Sequence, residues 1–383
     1  MTMMVRDEID IVVPMIEYHL AQGVDLIMVT DNGSVDGTTD VLKQYADHGV
    51  VELEHDPVHR KQQGERVTAM ARRAFTAHGA QWVINADADE FLAPLDRSLT
   101  IREALEQTPV DLQSFTVPVV NMVGPPAERG GGVDRLLWRD GRPDEELVSV
   151  GLHAHPTPNA IHVGHPDVTV AQGNHFVSLP SHGQPAPEVS MEVLHLPWRS
   201  WSQFEQKVLH AGRAYEANPT LRPSKNHHGM ADYRRAQEGR LRQAFSVRLP
   251  READLLDTAT FVEDRWLSEY LRGVVSQARL PDLLREALDS TDDEPWPAQE
   301  HAHNAELGAA FLALERSARA HSDRADELRA KVVRLRRKAR ALRQERDEAL
   351  ARADAAQAWV PVRTDAVRLS RRVASAIRRR LPG

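Results

Sequence analysis

Two aspartates one residue apart, Asp87 and Asp89, stand directly after the apolar run Trp82-Val83-Ile84-Asn85-Ala86 and before Glu90-Phe91-Leu92. Carboxylates at this spacing, just past a buried strand, can hold a hard divalent cation directly and through water. Magnesium usually takes one or two carboxylates and keeps its other positions for water and phosphate oxygens. A cation so held neutralises a diphosphate and stabilises it as a leaving group. The competing reading is that acidic pairs at strand ends are ordinary turn or cap residues. A second polar cluster, Asp31-Asn32-Gly33-Ser34-Val35-Asp36-Gly37-Thr38, is built from turn formers and ends where a helix can start. It reads as a turn and helix cap, and Asp31 could in addition accept a hydrogen bond from a nucleobase N–H or a ribose hydroxyl.

The elements around these clusters must bring them together. Met1–Val5, Asp25–Thr30, Val50–Leu53 and Gln81–Ala86 read as short apolar strands. Ile9–Leu20, Thr38–Ala46 and Glu65–Ala77 carry helical spacing between them. Strand and helix in alternation predict an α/β fold with a parallel sheet covered on both faces. Ligands of such sheets bind outside the carboxyl ends of the strands. The clusters Arg6-Asp7-Glu8, Asp31–Thr38 and Asp87–Glu90 all follow strands, so they are expected on one edge. Residues 96–195 are less regular, with strand candidates at Ser114–Val120, Val168–Ala171 and Val189–Leu196. Ser200–Ala217 and Ala253–Leu288 read as helical, Asp289–Pro297 as an acidic linker, and a last helix as running from about His303 to Ala356.

Four stretches taken together, M-V-R-D-E-x-D-I, Y-H-L-A-Q-G-V-D, T-D-N-G-S-V-D-G-T and W-V-I-N-A-D-A-D-E-F, resemble the nucleotide-binding half of family 2-type glycosyltransferases. The similarity is closest to the branch that also resembles family 92. Gly173-Asn174-His175-Phe176 and His195-Leu196-Pro197-Trp198-Arg199-Ser200, with Phe204 and Lys207, look like that branch's second-half signature. The resemblance covers roughly residues 3–235. It implies the GT-A (Rossmann-like) fold, a mixed sheet flanked by helices. It also implies a nucleoside-diphosphate sugar donor (a UDP- or GDP-sugar) and a divalent cation, Mn2+ or Mg2+. Carried over, Arg6, Asp31, Gln62 and Gln63 lie near the nucleotide, and Asp87 and Asp89 form the metal motif. His195 is a further metal ligand, with His175 as its competitor among 18 histidines. Arg199 and Lys207 could meet phosphate charge, or be plain helix-surface charge. An inverting transfer also needs a carboxylate base, for which Asp167 and Glu192 are the candidates. A retaining transfer would need none.

Two departures from the pattern stand out. The first strand begins almost at Met1, and Gly130–Val148 matches no part of the family and is assigned to a loop over the acceptor. The implied organisation is a nucleotide-sugar half at 1–95, an acceptor half at 96–245, and a helical region and linker at 246–302. A long helix with a coiled coil (303–356) and a basic amphipathic tail (357–383) follow.

Bulk properties bound these readings. With 41% hydrophobic and 27% charged residues the composition is globular. There is no cysteine, which removes disulfides, thiolate zinc and cysteine nucleophiles and suits a reducing compartment. No signal peptide or spanning segment is read, so a cytoplasmic location is expected, peripheral at the inner membrane face if the tail docks there. The net charge of −8 hides a split. Residues 319–383 carry 19 Lys and Arg against 8 Asp and Glu, a net of +11, which leaves −19 on residues 1–318. An acidic body argues against nucleic acid as a partner. In the tail, Leu328, Leu335 and Leu342 recur every seven residues with Val332 and Ala339 between them, until Arg346 breaks the pattern: a short coiled coil suited to self-association. Residues 363–380 interleave seven Arg with Val367, Val373 and Ile377, which suits an anionic membrane surface or a solvated extension of the helix.

The predicted function is metal-assisted transfer of a sugar from a nucleotide donor to a hydroxyl of a glycan or lipid-linked acceptor. An inactive scaffold of the same fold, acting through its coiled coil, is the alternative. A nucleotidyltransferase is a third reading, disfavoured because Arg6-Asp7-Glu8-Ile9-Asp10 lacks the glycine-rich loop such enzymes place after the first strand.

Overall fold

A computed structural model describes residues 1–57, 63–216, 228–289 and 293–378. In chain order the elements are β1 (Thr2–Val5), α1 (Val12–Ala21), β2 (Ile27–Asp31), α2 (Thr38–Asp47), β3 (Val51–His55), α3 (Gln63–Thr76), β4 (Trp82–Ile84), β5 (Glu90–Pro94) and α4 (Ile101–Glu106). There follow β6 (Ser114–Val117), β7 (Val119–Val123), β8 (Trp138–Asp140), α5 (Asp144–Ser149), β9 (Asn159–Val163), β10 (Met191–His195) and α6 (Trp201–Glu216). The last are α7 (His228–Gln237), α8 (Leu241–Arg248), β11 (Phe261–Glu263), α9 (Trp266–Val274), α10 (Pro281–Leu288) and α11 (Ala298–Arg378). Residues Met1–Ala313 form one compact unit and Leu314–Gly383 another.

The first unit is mixed α/β. β1, β2 and β3 pair in parallel in that order. A parallel bridge from Thr2 to Asn85 puts the end of β4 beside β1, supported by the Thr2 hydroxyl donating to Asn85 Oδ1 at 2.7 Å. The carboxyl ends of β1, β2 and β4 therefore share one edge, as the alternation of strand and helix predicts. Beyond β4 most ladders are antiparallel, β4 and β6 both pairing with β9, though β7 and β10 pair in parallel. A five-stranded layer in the order β11-β8-β7-β10-β5 completes the body.

Several expected elements are resolved differently. Ser114–Val120 is two strands, not one, because Pro118 has no N–H to donate and breaks the run; β6 joins β9, while β7 joins β8 and β10. Val168–Ala171 makes a single bridge, Val170 to Val177, though Val168 and Val170 are buried. The helix expected over Ala253–Leu288 is interrupted: Asp257 caps a turn at Ala259 and Thr260, and Phe261–Glu263 then pairs with β8. Gly130–Val148 is not a free loop. It contributes β8 to the five-stranded layer and buries Leu136 and Leu137. The last helix starts at Ala298 and reaches Arg378, beyond the limits read from the sequence.

The element that matters most for the site is α6. Trp201, Phe204 and Val208, spaced for one helical face, are buried with Tyr233, Phe245 and Trp296. That seats α6 firmly and turns Gln203, Gln206, Lys207 and His210 toward the sheet edge.

The second unit is helical throughout its described residues. Leu328, Val332, Leu335 and Leu342 are each about half exposed there, at 49%, 45%, 55% and 54%. No helix among the described residues is long and apolar enough to cross a membrane.

Gly212 of α6 lies against the Tyr233 ring; a Cβ there would sit 2.1 Å from ring carbons. Overpacking costs about 1–3 kcal/mol, against roughly 1 kcal/mol that alanine gains over glycine inside a helix. Gly212→Ala is therefore expected to lower the melting temperature, and a melt equal to or above wild type would refute this packing.

Candidate active site

The loop after β1 is held in place by the turn after β2. The amides of Asp7, Glu8 and Ile9 donate to Ser34 Oγ, Thr38 Oγ1 and Asp36 Oδ2 at 3.0 Å each. The Val35 amide in turn donates to Asp7 Oδ1 at 2.7 Å. Asp7 adopts φ 53°, a left-handed conformation rare outside glycine, and these bonds hold it there. The polar cluster Asp31–Thr38 thus does structural work. Asp31 is fully buried and its oxygens accept from Ser34 and from the Thr39 hydroxyl. Burial alone would raise its carboxyl, but the bonds from Thr39 and Ser34 outweigh it and hold it below its usual range. Asp31 is not among the residues that line the cavity described next. Its neighbour Asn32 does line it.

A cavity of about 210 Å³ opens at the shared strand edge. Arg6, Asp7 and Glu8 line it from β1, Asn32 from β2, Asp87 and Ala88 from the turn after β4, and Gln63 from α3; Gln203, Gln206, Lys207 and His210 of α6 form the facing wall. Gln62 lies outside the described residues. Arg6 Nη1 donates to the Asn32 carbonyl at 3.1 Å. Asp87 Oδ1 accepts from Gln63 Nε2 at 2.7 Å and Asn174 Nδ2 at 3.2 Å. Burial, with the Asp89 charge next, pushes the Asp87 carboxyl up to about 6.

Asp89 is buried behind Asp87 and faces two basic groups: Arg199 Nη1 and Lys207 Nζ each lie 3.1 Å from its Oδ2. The sequence expects Asp89 to face a cation supplied from solution; here the chain itself neutralises one of its oxygens. Its other oxygen is 3.7 Å from His195 Nε2. Burial works upward on the Asp89 carboxyl, but Lys207, His195 and Arg199 overcome it and hold it far below the carboxylate range. Arg199 is not helix-surface charge and is not among the residues lining the cavity. It is 0% exposed and also donates to both oxygens of Asp10 (2.9 and 3.1 Å) and to Glu8. Lys207 does line the cavity, with its side chain 49% exposed.

His195 keeps its Nδ1 within 3.0 Å of Asn121 Oδ1, and burial lowers it to about 4, so it is neutral near pH 7. His175 pairs with Asn159 Oδ1 at 3.0 Å, and Asn159 donates to Glu90 Oε2 at 2.8 Å. Glu90 also accepts from the Asp87 amide at 3.0 Å. Burial, then the Asp87 charge, push Glu90 up to about 8, and burial pushes Glu8 up to about 7.

Neither base candidate joins this group. Glu192 is buried between Arg97 and Arg139, with Arg97 Nη2 2.6 Å from its Oε1, so its charge is spent on structure. Asp167 is exposed beside His165, outside the cavity wall. Conversely, Gln203, Gln206 and His210 line the cavity without having been singled out, and Glu8, Asp10 and Asn174 read in the sequence only as members of motifs. The spacing of Gln203, Gln206 and His210 around Lys207 was the available signal.

A divalent cation can be tested against these residues. No three His, Asp or Glu among the described residues are arranged to ligate one by themselves. The donor set is nonetheless of the right kind: hard carboxylate oxygens, a neutral imidazole, and three carboxyls (half-buried Asp87 and Glu8, buried Glu90) raised above their ordinary values. Added positive charge would relieve them, and water and phosphate would complete the shell. The residues fit.

The family model described as glycosyltransferase family 92 matches residues 2–118. Among solved structures, S. aureus TarS aligns over 75% of this chain and 52% of its own, at 12% identity and a TM-score of 0.29. The TarS 1–349 fragment in complex with UDP-GlcNAc aligns over 75% of this chain and 86% of its own, at 11% identity and a TM-score of 0.33. The alignment therefore spans about half the length of full TarS. No curated protein matches the chain.

Because Asp87, Glu8 and Glu90 titrate higher in the fold than their ordinary carboxyl values, the folded chain binds those protons more tightly. Their contribution to stability is complete below about pH 4 and is lost as pH rises through about 6, 7 and 8. The metal-free protein should melt progressively lower from pH 5.5 to 8.5, with a shallower slope in Glu90→Gln. Thermal denaturation across that range checks this, and a flat or rising profile contradicts it. Arg199→Met strands three carboxylates and should cost about 3–5 kcal/mol at neutral pH, measured by urea unfolding.

Proposed function

Starting from the family 92-like glycosyltransferase character of residues 2–118, we propose that the cavity binds a nucleoside-diphosphate sugar, a UDP- or GDP-sugar. The sugar is transferred to a hydroxyl of a glycan or lipid-linked acceptor. The observation that carries this reading is the cavity itself: carboxylate Asp87 on one wall, cationic Arg6 and Lys207 on the others, all at the carboxyl edge of parallel strands.

Asp87 and Asp89 would hold a Mn2+ or Mg2+ ion, with His195 or His175 as a further ligand. That ion would stabilise the departing diphosphate as a Lewis acid. The chain's own groups do the rest. Arg6, Asn32 and Gln63 meet the nucleotide, and Lys207 meets phosphate charge. Arg199 fixes Glu8, Asp10 and Asp89 relative to one another, so these three carboxylates keep their places on binding. Transfer breaks the bond between the sugar's anomeric carbon and the diphosphate oxygen and forms one to the acceptor oxygen, whose proton goes to the departing diphosphate in a retaining transfer and to a carboxylate base in an inverting one. Glu192 is held by arginines and Asp167 lies outside the wall, so neither takes that proton from its present position.

Residues 1–95 and 96–245 are read as donor and acceptor halves, with His195, Arg199 and Lys207 supplied to the donor side by the second half. In residues 314–378 the Leu328–Leu342 stripe is flanked by Arg329, Lys331, Arg336, Lys338 and Arg343. Two identical helices pairing there would set like charges side by side. An anionic membrane surface is therefore favoured over self-association for this segment.

A thermal-shift screen of UDP- and GDP-sugars with and without Mn2+ tests the reading: one donor should stabilise the chain, and more strongly with the ion. Asp87→Asn/Asp89→Asn should reduce donor hydrolysis and transfer by about 100-fold or more while the protein stays folded. A fully active double mutant would refute the assignment. An inactive scaffold is the outcome if calorimetry finds no metal-dependent nucleotide binding.

A further inference from the structure

Two cations reach Asp89, and they differ in kind. Arg199 is 0% exposed and is locked by Glu8 and Asp10 as well. Lys207 is half exposed, and its one hydrogen bond among the described residues runs from Nζ to Asp89 Oδ2 at 3.1 Å. It is a compact point charge on a flexible four-carbon stem, and it stands on the face of α6 that borders the cavity with Gln203, Gln206 and His210. The charges of Glu8 and Asp87 act on the same ammonium. Lys207 thus stands among the carboxylates that a divalent cation would use.

We propose that Lys207 is an exchangeable counter-ion: it neutralises Asp89 before the donor arrives and moves to the donor diphosphate when a divalent cation takes its place. This rests on the nucleotide-sugar reading of the cavity. An ammonium and a divalent cation cannot share Asp89 Oδ2 without strong repulsion at that range. Arg199 cannot yield, since its release would leave Glu8 and Asp10 unpaired in the interior. Lys207 can yield, because its stem is already half in solvent and the cavity lies within reach of its pivot. Metal and nucleotide then bind cooperatively through one side chain: the cation releases Lys207, and the diphosphate receives it.

Two titrations of the full chain separate the parts. Mn2+ alone is titrated by calorimetry into wild type, Lys207→Met and Lys207→Arg; UDP and GDP are then titrated in saturating Mn2+. Lys207→Met should bind Mn2+ alone about tenfold tighter, because nothing competes for Asp89, and the nucleotide about tenfold weaker, because a phosphate partner is lost. Lys207→Arg should stay near wild type for Mn2+ alone. Should Lys207→Met melt early, Lys207→Gln serves in its place. An unchanged or weaker Mn2+ affinity on removing the ammonium overturns the exchange. A wild-type chain that binds Mn2+ but neither nucleotide overturns the donor reading instead, and the Mn2+ comparison still decides whether Lys207 competes for Asp89.

Discussion

A single buried guanidinium joins the parts of this protein that carry its chemistry. Arg199 follows β10, yet its donors are used on Glu8 and Asp10 after β1 and on Asp89 after β4. Moving an arginine out of water is costly, and it is tolerated only because three carboxylates meet the fork of N–H donors. Those carboxylates lie 191, 189 and 110 residues away in sequence. The polar edge of the sheet is therefore tied to the late signature around His195–Ser200. Trp198 and Trp201, buried on either side of Arg199 and Ser200, add apolar packing beside the guanidinium.

The same cluster leaves negative charge in excess. Arg199 and Lys207 face Glu8, Asp10, Asp87 and Asp89, with Glu90 beside them. Burial and mutual repulsion divide the acids into two groups. Asp89 is held ionised by its cations, while Asp87, Glu8 and Glu90 are driven upward. Carboxyls pushed apart in this way cluster at functional sites, as they also do in buried ion-pair networks. Asp87, which faces the cavity and accepts from Gln63 and Asn174, is the member best placed to receive charge that arrives from outside.

Local pattern made much of this legible. The alternation of strand and helix over residues 1–95 carries the order of the elements from β1 to β4 to within about three residues, because each helix must bury one face on the sheet and each strand both, but it does not show β5 (Glu90–Pro94). The acidic pair at Asp87 and Asp89 is readable only with its context, the apolar strand before it and Glu90-Phe91-Leu92 after it, because acidic pairs at strand ends are also ordinary turn and cap residues. Pattern failed where structure is non-local or a residue type is ambiguous. Ser114–Val120 reads as one strand until Pro118 is weighed. Ala253–Leu288 looks helical because a three-residue strand leaves almost no periodic signal. Glu192 reads as a base candidate because a glutamate's chemistry does not reveal which arginines surround it.

By itself, then, the sequence determined the α/β order, the convergence of three polar clusters on one edge, and the acidic pair at its centre. All three follow from hydrophobic period and turn chemistry, which act within a few residues. Only the tertiary structure decided which carboxylate faces the cavity and which is neutralised inside. It also turned Asp31 into a turn-holding residue, Glu192 into an arginine partner, and α6 into the facing wall. Those outcomes depend on charges and donors brought within about 3–4 Å of one another from distant parts of the chain, and no local pattern encodes such distances.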